Sequence, residues 1–184
     1  VKLIYTWDVS DSSGIQGGSG NWGVDDYWTI NGTTLKAWPV TGATAKFNDA
    51  DGAYNVTVNG TQPVDSIAFL NSGYTLSGGT LDFGSKSGLL VASGKSALVS
   101  SIISGNAGIT KYGAGVLTLS GANSYTGATN ISSGTMVVNG SLNAGSSVTI
   151  SGTLAGNGNA AGPVNATSGT IAPGDGGAGT LSTG

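Results

Sequence analysis

Residues 108–140 read GITKYGAGVLTLSGANSYTGATNISSGTMVVNG, and the reading of this stretch decides the fold. Two short apolar runs, Val116-Leu117-Thr118-Leu119 and Met136-Val137-Val138, are separated by turns built from Gly, Ser, Asn and Thr. Neither run has the 3.6-residue spacing of an amphipathic helix. Each alternates or stays apolar over a few residues, as short half-buried strands do. A Gly-Thr-apolar triplet recurs at Gly79-Thr80-Leu81, Gly134-Thr135-Met136, Gly152-Thr153-Leu154 and Gly169-Thr170-Ile171. The last three triplets start 18 and 17 residues apart, and counting back by similar steps reaches Gly115-Val116-Leu117 and Ala97-Leu98-Val99. A near-constant step with one short strand in each interval marks a coil that stacks on itself.

Working outward, strand candidates include Tyr54–Val58, Val64–Leu70, Tyr74–Phe83, Leu89–Ala92, Ala97–Ile103, Val116–Ser120, Thr129–Ile131, Thr135–Val138, Ser147–Ile150 and Thr170–Ala172. Gly and Asn supply the corners, where positive φ costs them little. Helical periodicity is found nowhere, so helix content near zero is expected. Coils of about 18 residues, with two or three strands each, are expected to stack in parallel about 4.8 Å apart. Met136, Leu154 and Ile171 would then form an inward column, and Thr135, Thr153 and Thr170 an outward one.

Residues 1–43 differ from the rest. They hold all four tryptophans (Trp7, Trp22, Trp28, Trp38) and four of the nine aspartates. A solenoid needs its end covered, or the first coil leaves core and strand edges open. The expected organisation is a cap-like segment at 1–43 followed by parallel β-helix coils at 44–184.

Composition narrows the function. There is no Cys, His, Arg or Glu, and no charged residue from Gly113 through Gly174. That removes the Ser-His pair, the thiolate, the imidazole metal ligand and the guanidinium phosphate clamp. With 38% apolar residues and a net charge of only −3, the chain lacks the signature of disorder. Six scattered lysines in an acidic chain argue against nucleic acid as a partner. No apolar run is long enough to span a membrane as a helix, and no signal-peptide pattern opens the chain. Val1 at the start and a pattern still running at Thr180–Gly184 are expected of a piece of a longer protein.

The residues Ile109-Thr-Lys-Tyr-Gly-Ala-Gly-Val-Leu-Thr-Leu-Ser-Gly-Ala-Asn-Ser-Tyr-Thr-Gly127, followed by Thr129-Asn-Ile-Ser-Ser-Gly-Thr-Met136, resemble the autotransporter-associated β-strand repeat of bacterial type V secreted passengers. Ser151–Gly158 and Thr170–Gly174 are similar to the stretch that often follows that repeat. Thr6-Trp7, Gly20-Asn21-Trp22 and Phe47 look like the start of many such passengers. The resemblance implies a right-handed parallel β-helix exported through a C-terminal β-barrel that this chain lacks. It implies an extracellular or cell-surface location. Architecture rather than activity is what the family shares.

Several local motifs carry chemistry on paper. Gly88-Leu-Leu-Val-Ala-Ser-Gly94-Lys95-Ser96 has five residues between its glycines where a phosphate loop has four, and a Gly corner between strands is expected. Gly18-x-Gly20-x-x-Gly23 and Gly174-x-Gly176-x-x-Gly179 match a dinucleotide fingerprint by letter alone. Asn48-Asp49-Ala50-Asp51-Gly52 suggests a Ca²⁺ loop, but Phe47 replaces one oxygen ligand and no Glu follows. Asp49 and Asp51 are also the only candidate carboxylate pair for sugar chemistry, while Asp25-Asp26 read as a turn. Trp22, Tyr27 and Trp28 would suit sugar stacking, although a packed end is the expected reading. The Thr column lacks the second Thr column that ice binding needs, because Val137, Ala155 and Ala172 stand there. Asn-x-Ser/Thr triplets at Asn31, Asn55, Asn59, Asn130, Asn139 and Asn165 are expected to be mostly turn chemistry.

No catalytic, metal-binding or cofactor-binding residue is assigned, and no cofactor is expected. The expected function is a non-catalytic surface scaffold, an adhesin or self-association module of a Gram-negative bacterium. Its partner would be a host matrix protein, a cell-surface glycan or another copy of itself. The alternatives are a polysaccharide-acting enzyme using Asp49 and Asp51, and a stalk that only assists export.

Overall fold

The computed structural model describes residues 3–10 and 15–184. The described residues form strands joined by turns, bends and irregular loops, and none is helical. The chain winds in successive coils. The first supplies β1 (Ile4–Trp7), β2 (Gly20–Trp22) and β3 (Trp28–Thr29), and the second β4 (Thr44–Phe47) and β5 (Tyr54–Pro63). The third gives β6 (Ser66–Phe69) and β7 (Tyr74–Asp82), and the fourth β8 (Gly88–Val91), β9 (Ser96–Val99) and β10 (Ile102–Ser104). The fifth gives β11 (Ile109–Tyr112) and β12 (Val116–Leu119). The sixth holds β13 (Thr129–Ile131), β14 (Thr135–Val138) and β15 (Ser141–Leu142), and the seventh β16 (Val148–Ile150), β17 (Thr153–Gly156) and β18 (Asn159–Ala160). The last holds β19 (Val164–Ala166), β20 (Thr170–Pro173) and β21 (Ser182–Thr183).

Stacked coils make three sheets. The first runs β19-β16-β13-β11-β8-β6-β4-β1-β3, and the second β2-β5-β7-β9-β12-β14-β17-β20. The third is β15-β18-β21, extended upstream by the Ala122–Ser141 bridge. Earlier in the chain the same side is formed by the tail of β5, the tail of β7 and β10. Every named strand pair is parallel except β1–β3, where Trp28–Thr29 lies antiparallel against Thr6–Trp7. The protein is therefore a parallel β-solenoid, as the recurring step predicts.

The step is less even than the sequence suggests. In the second sheet Ser96, Val116, Thr135, Thr153 and Thr170 are successive partners, so the coil shortens from 20 residues to 19, 18 and 17. Counting back by 18 puts Leu98 opposite Val116, whereas Ser96 is the true partner. A slip of two preserves which side chains face in, so the strand was legible while its register was not. Gly79-Thr80-Leu81 belongs to a different side, with Thr80 opposite Ile102. The Ala97–Ile103 run is split into β9 and β10 by a corner at Ser100–Ser101, where both amides donate to the Leu76 carbonyl.

Inward columns form the core. Ala97, Leu117, Met136, Leu154 and Ile171 stack in register, all buried but Ile171, which the last coil leaves 42% exposed. Nearer the start the core turns aromatic. Trp7, Trp22 and Trp28 are wholly buried and meet edge to face, with ring centroids 5.0 Å apart for Trp7–Trp28 and 4.8 Å for Trp22–Trp28. Phe47 stacks on Phe69 at 5.1 Å, handing the aromatic end over to the aliphatic columns.

The repeated glycines have a steric cause. A Cβ on Gly134 would lie well inside 3 Å of the Gly113 and Gly115 carbonyl oxygens, and one on Gly152 equally close to the Gly134 oxygen. Gly169 stands in the same relation to Gly152. The corner between first and second sheets is thus a column of backbones in contact, and only hydrogen fits between them.

Candidate functional site

The resemblance-bearing stretch contains four buried polar side chains, Lys111, Asn123, Tyr125 and Thr129, which supply hydrogen bonds that strands do not. Lys111 is fully buried and occupies the inward column Ala45–Ile67–Leu89–Lys111–Ile131–Ile150, otherwise apolar. Its ammonium donates to the carbonyls of Tyr112 (2.9 Å), Gly113 (2.6 Å) and Ser133 (3.1 Å), tying the corners of two coils together. Burial pushes Lys111 down to about 8. Asn123 stands where the fifth coil has no named third strand. Its Oδ1 accepts from the Ile103 amide (3.0 Å), and its Nδ2 donates to the carbonyls of Gly121 (3.2 Å) and Ser141 (3.1 Å). Tyr125 and Thr129 share a hydroxyl bond of 2.6 Å, Thr129 meets Ser146 at 3.0 Å, and Ser146 donates to the Gly127 carbonyl at 2.8 Å. Desolvation pushes the Tyr125 phenol up to about 12. These groups are joinery between coils rather than chemistry facing a substrate. Asn123 and Tyr125 carried signal in the sequence; Lys111 did not, because a lysine reads as surface charge.

The two candidate acids bond in different directions. Asp49 Oδ2 accepts from the Gly17 amide at 2.5 Å, reaching back toward the first coil. Asp51 faces later coils and accepts from Lys95 Nζ (2.8 and 3.0 Å), the Ser72 amide (2.8 Å) and Asn71 Nδ2 (3.2 Å). The Lys95 hydrogen bond, then the Ser72 amide, hold the Asp51 carboxyl down at about 2. A carboxylate so held is a poor proton donor at neutral pH. Phe47 points into the core, and among the described residues no group of three or more potential ligands could hold a metal.

The remaining motifs fall as follows. Gly88–Ser96 is strand, Gly corner, strand, with Gly94 at φ 71°. Gly20 starts β2 and Gly23 follows it in a turn, while Gly174, Gly176 and Gly179 lie between β20 and β21. Asp25 accepts from the Asn21 amide at 2.6 Å in a turn, and Asp26 is exposed. Trp22 and Trp28 turn their faces inward and are unavailable for stacking a sugar, and Tyr27 packs edge-on against Trp7. Thr135, Thr153 and Thr170 form the expected column. The Asn triplets depart from expectation in part. Asn31 forms a turn, its Oδ1 accepting from the Thr33 and Thr34 amides, and Asn139 sits in the bend after β14, whereas Asn55, Asn59, Asn130 and Asn165 lie within strands. Strand positions pointing outward tolerate an amide as readily as a turn does.

Fold, glycine corners and buried polar pattern define a parallel β-solenoid whose fifth and sixth coils carry a distinct repeat. Residues 109–138 match the family described as Passenger-associated-transport-repeat, which coincides with the stretch read above. Over 124 residues, 65% of this chain, the sequence is 31% identical to a protein of Brucella suis biovar 1 (strain 1330) named Adhesin BmaC autotransporter. The chain covers about 4% of that relative's length. No solved structure matches. The two matches support the resemblance to an autotransporter passenger. No helix among the described residues is long and apolar enough to cross a membrane, which says nothing of a β-barrel.

Proposed function

We propose that the chain is extracellular passenger sequence acting as an adhesive or self-associating scaffold on a Gram-negative cell surface, reached through a β-barrel translocator. The observation that carries this is the register: seven stacking steps in the first sheet, from β1 to β19, make a rod of roughly 34 Å at the usual strand spacing. Its outward columns repeat the same uncharged groups, Thr44, Ser66, Gly88, Thr110, Asn130, Thr149 and Asn165 on one side. Repetition on a stiff support favours many weak contacts made together. The name of the Brucella relative favours the same reading. In it, residues 1–43 cover one end, with the tryptophans as plug and β3 lying across the edge of β1, and residues 44–184 are the coils. Coil-by-coil stacking outside the cell also suits export. The polysaccharide-cleaving alternative leans on Asp49 and Asp51, and their bonding does not favour it.

The test is binding of the purified chain to immobilised host matrix proteins and glycans, with sedimentation for self-association. Saturable binding or a concentration-dependent dimer is expected. A strictly monomeric chain that binds nothing in either panel overturns the proposal.

A further inference from the structure

The outward face of the first sheet is not uniformly flat. Two columns run side by side, Ile4–Thr44–Ser66–Gly88–Thr110 and Thr6–Lys46–Ala68–Leu90–Tyr112. Their middle positions are small, Ser66, Ala68 and Gly88, while Ile4 at one end and Tyr112 at the other are 53% and 45% exposed. The result is a shallow trough of about 610 Å³ crossing the coils, with Leu90 beside the tyrosine. Gly88 is what keeps it open, since a Cβ there would reach within 3.0 Å of the Ser66 Cβ. Four coil steps separate Ile4 from Tyr112, so the trough is about 19 Å long.

Its chemistry is amphipathic. Thr44 and Ser66 share a hydroxyl bond of 2.8 Å on the floor. Asp65 and Lys86 stand along one side, and neither makes an ion pair among the described residues. Among the groups lining the trough, one acceptor carboxylate, one donor ammonium, several hydroxyls and an exposed ring at the end balance to zero charge, while Lys46 of the second column lines a separate hollow with Thr6 and Asn31. A polyanion would meet Asp65 unfavourably, and an apolar helix would bury the hydroxyls and both charges without partners. A chain of neutral sugar rings meets neither penalty. Its C–H face lies against Tyr112 and Leu90, and its hydroxyls donate to Asp65 and accept from Lys86.

We propose that this trough is a binding site for a neutral linear glycan, lying along the rod across the coils of β4, β6, β8 and β11. The proposal rests on the adhesive reading above and names its ligand class. The test is titration of the full chain with chitohexaose, cellohexaose and mannohexaose, with a heparin hexasaccharide as charged control, followed by amide chemical shifts. At least one neutral hexasaccharide is expected to move the amides of residues 66–68, 88–90 and 112, and the heparin fragment to move them less. Tyr112→Ala, at an exposed position that leaves the core intact, is expected to weaken binding about tenfold. Gly88→Val, which fills the floor, is expected to do the same with the β-rich spectrum unchanged. No shifts with any neutral hexasaccharide, or shifts confined to another face, overturn the trough. If matrix or cell binding persists unchanged in Tyr112→Ala, the trough falls and the adhesive reading stands. If the parent chain binds nothing at all, both fall together.

Discussion

At the scale of single residues, Lys111 departs furthest from what its sequence neighbours suggest. Burying an ammonium costs several kcal/mol, and only good geometry offsets it. Here three carbonyls face it, two on its own coil and one on the next. Lys111→Met strips those carbonyls of their partner, and a loss of about 1–3 kcal/mol in urea unfolding at pH 7 is expected. The pH dependence has a defined sign. The folded value near 8 lies below the ordinary 10.5, so between those pH values the unfolded chain holds more protons than the folded one. Stability from this group therefore rises as pH climbs from 8 toward 10.5. Tyr74 and Tyr125, both raised by burial, work the other way only above pH 10. The midpoint of the parent chain is expected to rise between pH 8 and 10 relative to that of Lys111→Met; parallel curves for the two would refute the assignment.

At the scale of elements, the glycine column sets how closely neighbouring coils approach. Gly152→Ala forces a methyl into the Gly134 carbonyl, and roughly 2–3 kcal/mol of destabilisation is expected in thermal or urea unfolding. Gly177→Ala, where a Cβ meets nothing within 4 Å, is expected to be close to neutral. Equal effects from the two would mean that backbone entropy, and not contact, explains the column. The elements also show where sequence reading succeeds. Thr129–Ile131 and Thr135–Val138 were legible to the residue because the first alternates about Asn130 and the second is a short apolar run opened by Gly134. β11 was not among the strand candidates, since Lys111 interrupts its alternation, whereas β17 was legible through the Gly152-Thr153-Leu154 triplet and only its Ala155-Gly156 end was not. Even spacing misled the register upstream, where each coil gains a residue at its corners. The trough was invisible for another reason: Ile4, Ser66, Gly88 and Tyr112 are far apart in the chain and meet only through four consecutive ladders.

At the scale of the whole molecule, a solenoid is a sum of nearest-neighbour interfaces, so whole coils are expendable and fractions of coils are not. Deleting residues 129–147 joins Ala128 to Val148, and Val148 is the direct partner of Thr129 in the ladder. The shortened chain is expected to keep its β-rich circular dichroism and a cooperative transition at a somewhat lower midpoint, whereas deleting 129–138 alone is expected to abolish cooperativity. Loss of all structure on removing the complete coil would mean that these coils are not interchangeable units. The charge-free run from Gly113 through Gly174 then takes on a further meaning, because it forms most of the last four coils. Nothing in it ionises below the range of Tyr125, and no ion pair there awaits screening. Gastric acid, brackish water and dilute freshwater would present that end of the rod with nearly the same solvent.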